Sequence, residues 1–66
     1  RVMSQVTKSG NGYYTDDAEY VVKGTKVTRG DGSFAVLASE QEAHAAAAAL
    51  ASGERSDNEF QWEYAA

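Results

Sequence analysis

Hydrophobic and polar positions alternate with period two through the middle of the chain, then switch to helical spacing after Ser39. Tyr20-Val21-Val22 is aromatic and β-branched, which favours a strand. Lys23-Gly24 can close a tight turn. Thr25, Val27 and Arg29 alternate with Lys26 and Thr28, a second strand with Val27 inward. Gly30-Asp31-Gly32 is turn chemistry. Phe34, Val36 and Ala38 then alternate with Ala35 and Leu37, a third strand. The pattern predicts a three-stranded antiparallel meander.

The stretch from Ser39 to Gly53 predicts a helix over about Glu40 to Ser52. Ser39 followed by Glu42 three residues later is a capping box, in which each side chain takes a backbone N–H that the helix leaves unpaired. Glu40 and Glu42 sit at the positive end of the helix dipole. Alanine is the best helix former, and Gly53 supplies the stop. Ala43, Ala46, Ala47 and Leu50 form the stripe expected to face the sheet. Ala45, Ala48, Ala49 and Ala51 fall largely outside it, as propensity fillers or as a surface for close approach.

The ends of the chain are less regular. Phe60, Trp62 and Tyr64 alternate with Gln61 and Glu63, which predicts a fourth strand with one aromatic face. A competing signal is Ser56-Asp57-Asn58-Glu59, a second capping box that would start a short helix. Residues 1–12 alternate weakly at Val2, Ser4 and Val6 and end in Lys-Ser-Gly-Asn-Gly, so they read as a flexible arm or weak strand. Residues 13–66 read as one domain, with Met3 a candidate start. The expected fold class is α+β: the meander packed on one Ala-rich helix, with a C-terminal fourth strand.

Composition narrows the function classes. A chain of 66 residues buries only roughly 60% of its unfolded surface, so a second copy or another protein is expected to supply missing burial. There is no Cys, hence no disulfide and no thiolate metal site. The longest apolar run, Ala45 to Ala51, falls far short of the roughly 20 residues of a membrane span. The formal charge of −4 opposes binding to a phosphate backbone and favours basic protein surfaces.

Candidate chemistry is sparse. His44 is the only histidine, so no zinc site and no nucleophile–base pair is recognisable, and no enzyme or cofactor is expected. Gly30-x-Gly32-x-x-Ala35 lacks the strand–turn–helix setting of a dinucleotide fingerprint. Arg29-Gly30-Asp31 matches an adhesion tripeptide, but nothing else suggests secretion, and the turn reading is preferred. The candidate partner-binding residues are Asp16, Asp17 and Glu19 in an acidic cluster, and Glu59, Phe60, Trp62, Glu63 and Tyr64 in an aromatic segment with an acidic rim. Lys23, Lys26 and Arg29 along one hairpin form an alternative nucleic-acid contact, a weak footprint on an acidic chain.

The pattern Tyr20-x-Val22-x-Gly24-x-x-Val27, then Asp31-Gly32, a short apolar strand and the alanine helix resembles small phage- or prophage-encoded meander-plus-helix proteins. The resemblance covers Tyr20 to about Leu50 and carries over no functional residue. Some such proteins inhibit host defence systems, including CRISPR effectors and nucleases. It implies a non-enzymatic inhibitor that occludes a basic surface in the cytoplasm of a bacterial host. An accessory nucleic-acid binder and a structural dimerisation protein are the alternatives.

Overall fold

The computed structural model describes residues 5–64 and shows an α+β chain with one antiparallel sheet and one helix. The alternation at Val2 and Ser4 and the candidate start at Met3 lie outside the described residues. The strands are β1 (Thr7–Ser9), β2 (Gly12–Tyr14), β3 (Glu19–Lys23), β4 (Lys26–Arg29), β5 (Ser33–Val36) and β6 (Glu63–Tyr64), and the helix is α1 (Glu40–Ser52). The six strands lie in chain order, each antiparallel to the next. The helix is therefore an excursion between the neighbouring strands β5 and β6.

The sheet is wider than the sequence predicts. Thr7, Lys8 and Ser9 pair with Tyr14, Tyr13 and Gly12. This first hairpin has no apolar alternation to reveal it, because all three β1 residues are exposed. Gly12 also makes room for Tyr14, because the hydroxyl end of that ring occupies the space a Cβ would need.

Register sorts the side chains onto two faces. Tyr13 pairs with Tyr20 and Tyr20 with Arg29, while Val22 pairs with Val27 and Val27 with Ala35. These rows face the helix, and Val22, Val27, Ala35 and Ser33 are almost wholly buried. On β5 the inward positions are thus Ser33 and Ala35, while Phe34 and Val36 point away. The helix meets this face through Ala43, Ala46, Ala47, Leu50 and Ala51. Ala51 corrects the expected stripe, since it is buried rather than outside it. Small side chains let helix and sheet approach closely. Val6, Leu37, Phe60 and Trp62 close the margins.

The helix ends follow capping physics. Ser39 is extended, and its hydroxyl accepts the Glu42 N–H at 3.1 Å. Gly53 takes φ 87°, a left-handed conformation that costs glycine little, and the Glu54 N–H reaches back to the Ala49 carbonyl at 2.9 Å.

Both competing signals in residues 56–64 are present, in series. Asp57–Glu59 forms one 3-10 turn, and the Glu59 carboxylate accepts the Ser56 N–H at 3.0 Å. The expected strand over Phe60 to Tyr64 then shrinks to Glu63–Tyr64, paired with Phe34 and Ser33. Phe60 is still extended, but its N–H bonds to the Asp57 carbonyl rather than to a neighbouring strand.

Candidate functional site

The loop after β2, the start of β3, the β4–β5 turn and the 3-10 turn surround an open cleft of about 560 Å³. Among the described residues its walls carry Asp16, Asp17, Glu19, Asp31 and Asp57, five carboxylates, against one cation, Arg29. Tyr14 and Tyr20 supply the aromatic surface.

Arg29 is built into the fold rather than offered to the cleft. It follows the inward-facing row of β4, so its guanidinium enters at the sheet margin, where its side chain is only 19% exposed. Nη1 donates to the Asp57 carboxylate at 2.8 Å, and Nε donates to the Ser33 hydroxyl at 2.8 Å. The Trp62 ring lies against the guanidinium at 4.1 Å, a cation–π contact. Trp62 Nε1 donates to the Asp57 backbone carbonyl at 2.7 Å, and Tyr20 Oη donates to its carboxylate at 3.0 Å. Asp57 thus ties strands β3 and β4 to the C-terminal segment. Burial, reinforced by that Asp57 hydrogen bond, pushes the Tyr20 hydroxyl up to about 12.

The turn beside it is equally committed. One Asp31 carboxylate oxygen accepts the Ser33 hydroxyl at 2.6 Å and the Ser33 N–H at 2.9 Å. These bonds hold Asp31 below the usual carboxylate range. The Gly32 N–H closes the turn on the Arg29 carbonyl at 3.1 Å. Arg29-Gly30-Asp31 is therefore a strand end and a side-chain-locked turn, with its arginine turned inward.

The residues singled out by sequence separate into groups. Asp16, Asp17 and Glu19 come together on the cleft, joined by Asp31 and Asp57, which sequence reasoning treated as turn and cap residues. Asp57 lies 28 positions from Arg29, and no local signal connects the two. Trp62 braces the site from behind. Phe60 packs 6.0 Å from it, under the Arg55 guanidinium at 4.5 Å. Glu59 is held by Arg55 at 3.0 Å, and the Ser56 N–H, ahead of Arg55, lowers its pKa. Glu63 and Tyr64 are exposed on β6, away from the cleft.

The basic stripe does not form. Lys23 and Lys26 are register partners on the face away from the helix, and the Lys26 ammonium sits 4.8 Å over the Phe34 ring. Arg29 lies on the opposite face, because three residues along a strand reverse the side. His44 Nδ1 lies 2.8 Å from Tyr13 Oη, with the rings edge to face, on the flank of the helix. No group of three or more His, Cys, Asp or Glu among the described residues could hold a metal ion. No helix among them is long and apolar enough to cross a membrane. Comparison with protein-family models, curated proteins and solved structures finds no match.

Proposed function

We propose that this chain is a non-enzymatic binding module whose acidic cleft receives basic side chains of a protein partner. The observation that supports this reading is the charge balance of the cleft: five carboxylates surround about 560 Å³, and the one arginine is consumed by internal bonds. A concave surface lined by one sign of charge focuses its field and raises the local concentration of opposite charge. Asp16, Asp17 and Glu19 are the residues free to meet a lysine or arginine, with Tyr14 beside them as a stacking surface. Occlusion of a basic, nucleic-acid-binding surface is the inhibitory action such a cleft is suited to, because its carboxylates compete with phosphate.

The test is titration of the protein with a short arginine-rich peptide, followed by nitrogen–proton NMR. Shifts are expected at Asp16 to Tyr20 and at Gly30 and Asp31, weakening as salt is raised. The triple variant Asp16→Asn, Asp17→Asn, Glu19→Gln should bind at least about tenfold more weakly. Binding that is unchanged in the triple variant, or shifts confined to other surfaces, would refute the reading.

A further inference from the structure

The sheet is not closed, and the register decides which backbone groups its β1 edge presents. The Val22 N–H donates to the Asn11 carbonyl at 2.8 Å, so Asn11 and, two residues on, Tyr13 turn their backbone groups toward β3. Gly12 and Tyr14 turn theirs toward β1, where Ser9 and Thr7 are their partners. Lys8 is therefore the residue of β1 whose N–H and C=O both point out of the sheet. Its side chain follows that of its partner Tyr13 to the helix side. There the edge borders a groove of about 340 Å³, lined by Val6, Tyr13, Ala45, Ala48 and Ala49. The alanines make this groove, because they leave open the space that longer side chains would fill.

Lys8 also sets the charge of this edge. Its ammonium bends along the strand to the Gly10 carbonyl at 2.9 Å and sits 5.6 Å over the Tyr13 ring. Among the described residues no carboxylate pairs with it. We propose that the β1 edge binds an extended segment of another protein, which adds antiparallel to β1 as a further strand, with an apolar side chain over the groove and a carboxylate two residues before it on the Lys8 ammonium. Residues that face each other across such a pair exchange both main-chain hydrogen bonds, so the residue opposite Lys8 shares its face and its side chain lies over the groove. In the antiparallel direction the residue two earlier lies beside Gly10, where the Lys8 ammonium is. Glu54, past the end of α1, also lines the groove and repels a second carboxylate, so the segment carries one acid and not a run of them. The β1 strand of a second copy does not meet this description. Lys8 is the one side chain of its three on the helix side, so it would bring a like charge and no apolar group. The inference is independent of the acidic-cleft reading, since none of the groove residues lines that cleft.

The probe is the peptide Thr-Thr-Glu-Thr-Leu-Thr-Thr, acetylated and amidated at its ends, added to the full chain up to about 5 mM. One facing pair and one apolar side chain make a small contact, so a Kd of about 0.1–1 mM is expected. Nitrogen–proton NMR should show shifts at Lys8, Tyr13, Ala45 and Ala49 and slower exchange of the Lys8 N–H. N-methylation of the peptide's leucine removes the donor to the Lys8 carbonyl and should weaken binding about tenfold or more. N-methylation of the threonine after it, whose N–H faces away from β1, should change binding less than about threefold. Lys8→Glu should weaken this peptide about tenfold, and lysine in place of the peptide's glutamate should recover the loss. Thermal melts check that Lys8→Glu folds, and the pair of methylated peptides needs no variant of the protein. Absence of shifts at Lys8 and Tyr13, shifts confined to Asp16 to Tyr20, methylated peptides that bind alike, or a Lys8 N–H protected in the protein alone and released on dilution, as a second copy at the edge would give, would each overturn the proposal.

Discussion

Replacing Asp57 with alanine should destabilise the domain by about 2 kcal/mol. The carboxylate accepts from the Arg29 guanidinium at 2.8 Å and from Tyr20 Oη at 3.0 Å. A hydrogen bond between charged groups contributes about 1.5–3 kcal/mol and a neutral hydroxyl about 1. The Asp57 side chain is 45% exposed, however, so water re-solvates part of what is lost and the sum shrinks towards about 2 kcal/mol. In a domain this small each kcal/mol moves the melting temperature by about 4–8 °C, so a fall of about 8–16 °C is expected. Asp57→Asn keeps one acceptor oxygen and should cost about half as much. Urea unfolding followed by circular dichroism measures both. An alkaline absorbance titration gives a second readout. Tyr20 should titrate below its level of about 12 once the hydrogen bond is gone, yet stay above 10.0, because burial is the larger cause. The Trp62 indole bonds to the Asp57 backbone carbonyl, so its emission should change little. A loss below about 0.5 kcal/mol in Asp57→Ala would refute this account of the Arg29 network.

Ser39→Ala should lower stability by about 1 kcal/mol, the usual cost of removing an N-cap, and an unchanged urea midpoint would contradict that role. Asp31 and Glu59 titrate below their ordinary values of 3.8 and 4.5 when folded, so the stability they contribute is present above those values and lost as pH falls through the folded ones. Tyr20, raised from 10.0 to about 12, acts in the opposite direction: the unfolded chain loses its proton first, and stability falls between those two values. Urea midpoints measured from acid to alkaline pH should therefore decline at both ends, and a midpoint that rises on acidification would refute the Asp31 and Glu59 assignments.

What the sequence makes legible follows from how local each signal is. The helix can be read from Ser39 to Gly53 because its start, propensity and stop lie within fifteen consecutive positions. The meander from Tyr20 to Val36 can be read because each strand is flanked by a two- or three-residue turn. The hairpin of Thr7–Ser9 and Gly12–Tyr14 cannot, since its strands are three residues long and one is wholly exposed. The inward face of β5 is also obscured. Ser33 and Ala35 are the buried positions, while the bulkier Phe34 and Val36 face outward. Hydrophobicity alone assigns that strand the wrong way round. Ser33 is tolerated inside because Arg29 and Asp31 satisfy its hydroxyl. Of the cleft, the cluster Asp16, Asp17 and Glu19 is local and visible. Asp57 enters from the far end of the chain, and only the fold brings it to Arg29.

Arg29 shows why a short motif and a charge count both mislead on a strand. A receptor that reads Arg-Gly-Asp needs the guanidinium extended from a loop tip. Here that group is bound to Asp57 and Ser33 and covered by Trp62, so exposing it would break three contacts at once. Counting Lys23, Lys26 and Arg29 as one basic stripe fails for a related reason. Positions three apart on a strand point to opposite faces, so Lys26 joins Lys23 outside while Arg29 goes in. The same inward turn leaves the cleft acidic, because the one cation among its described residues is neutralised from within by Asp57. Period two therefore does more than place the core. It withdraws one arginine from solvent, leaves two lysines on a face with Glu19, and concentrates the remaining carboxylates where, among the described residues, no positive side chain is free to answer them.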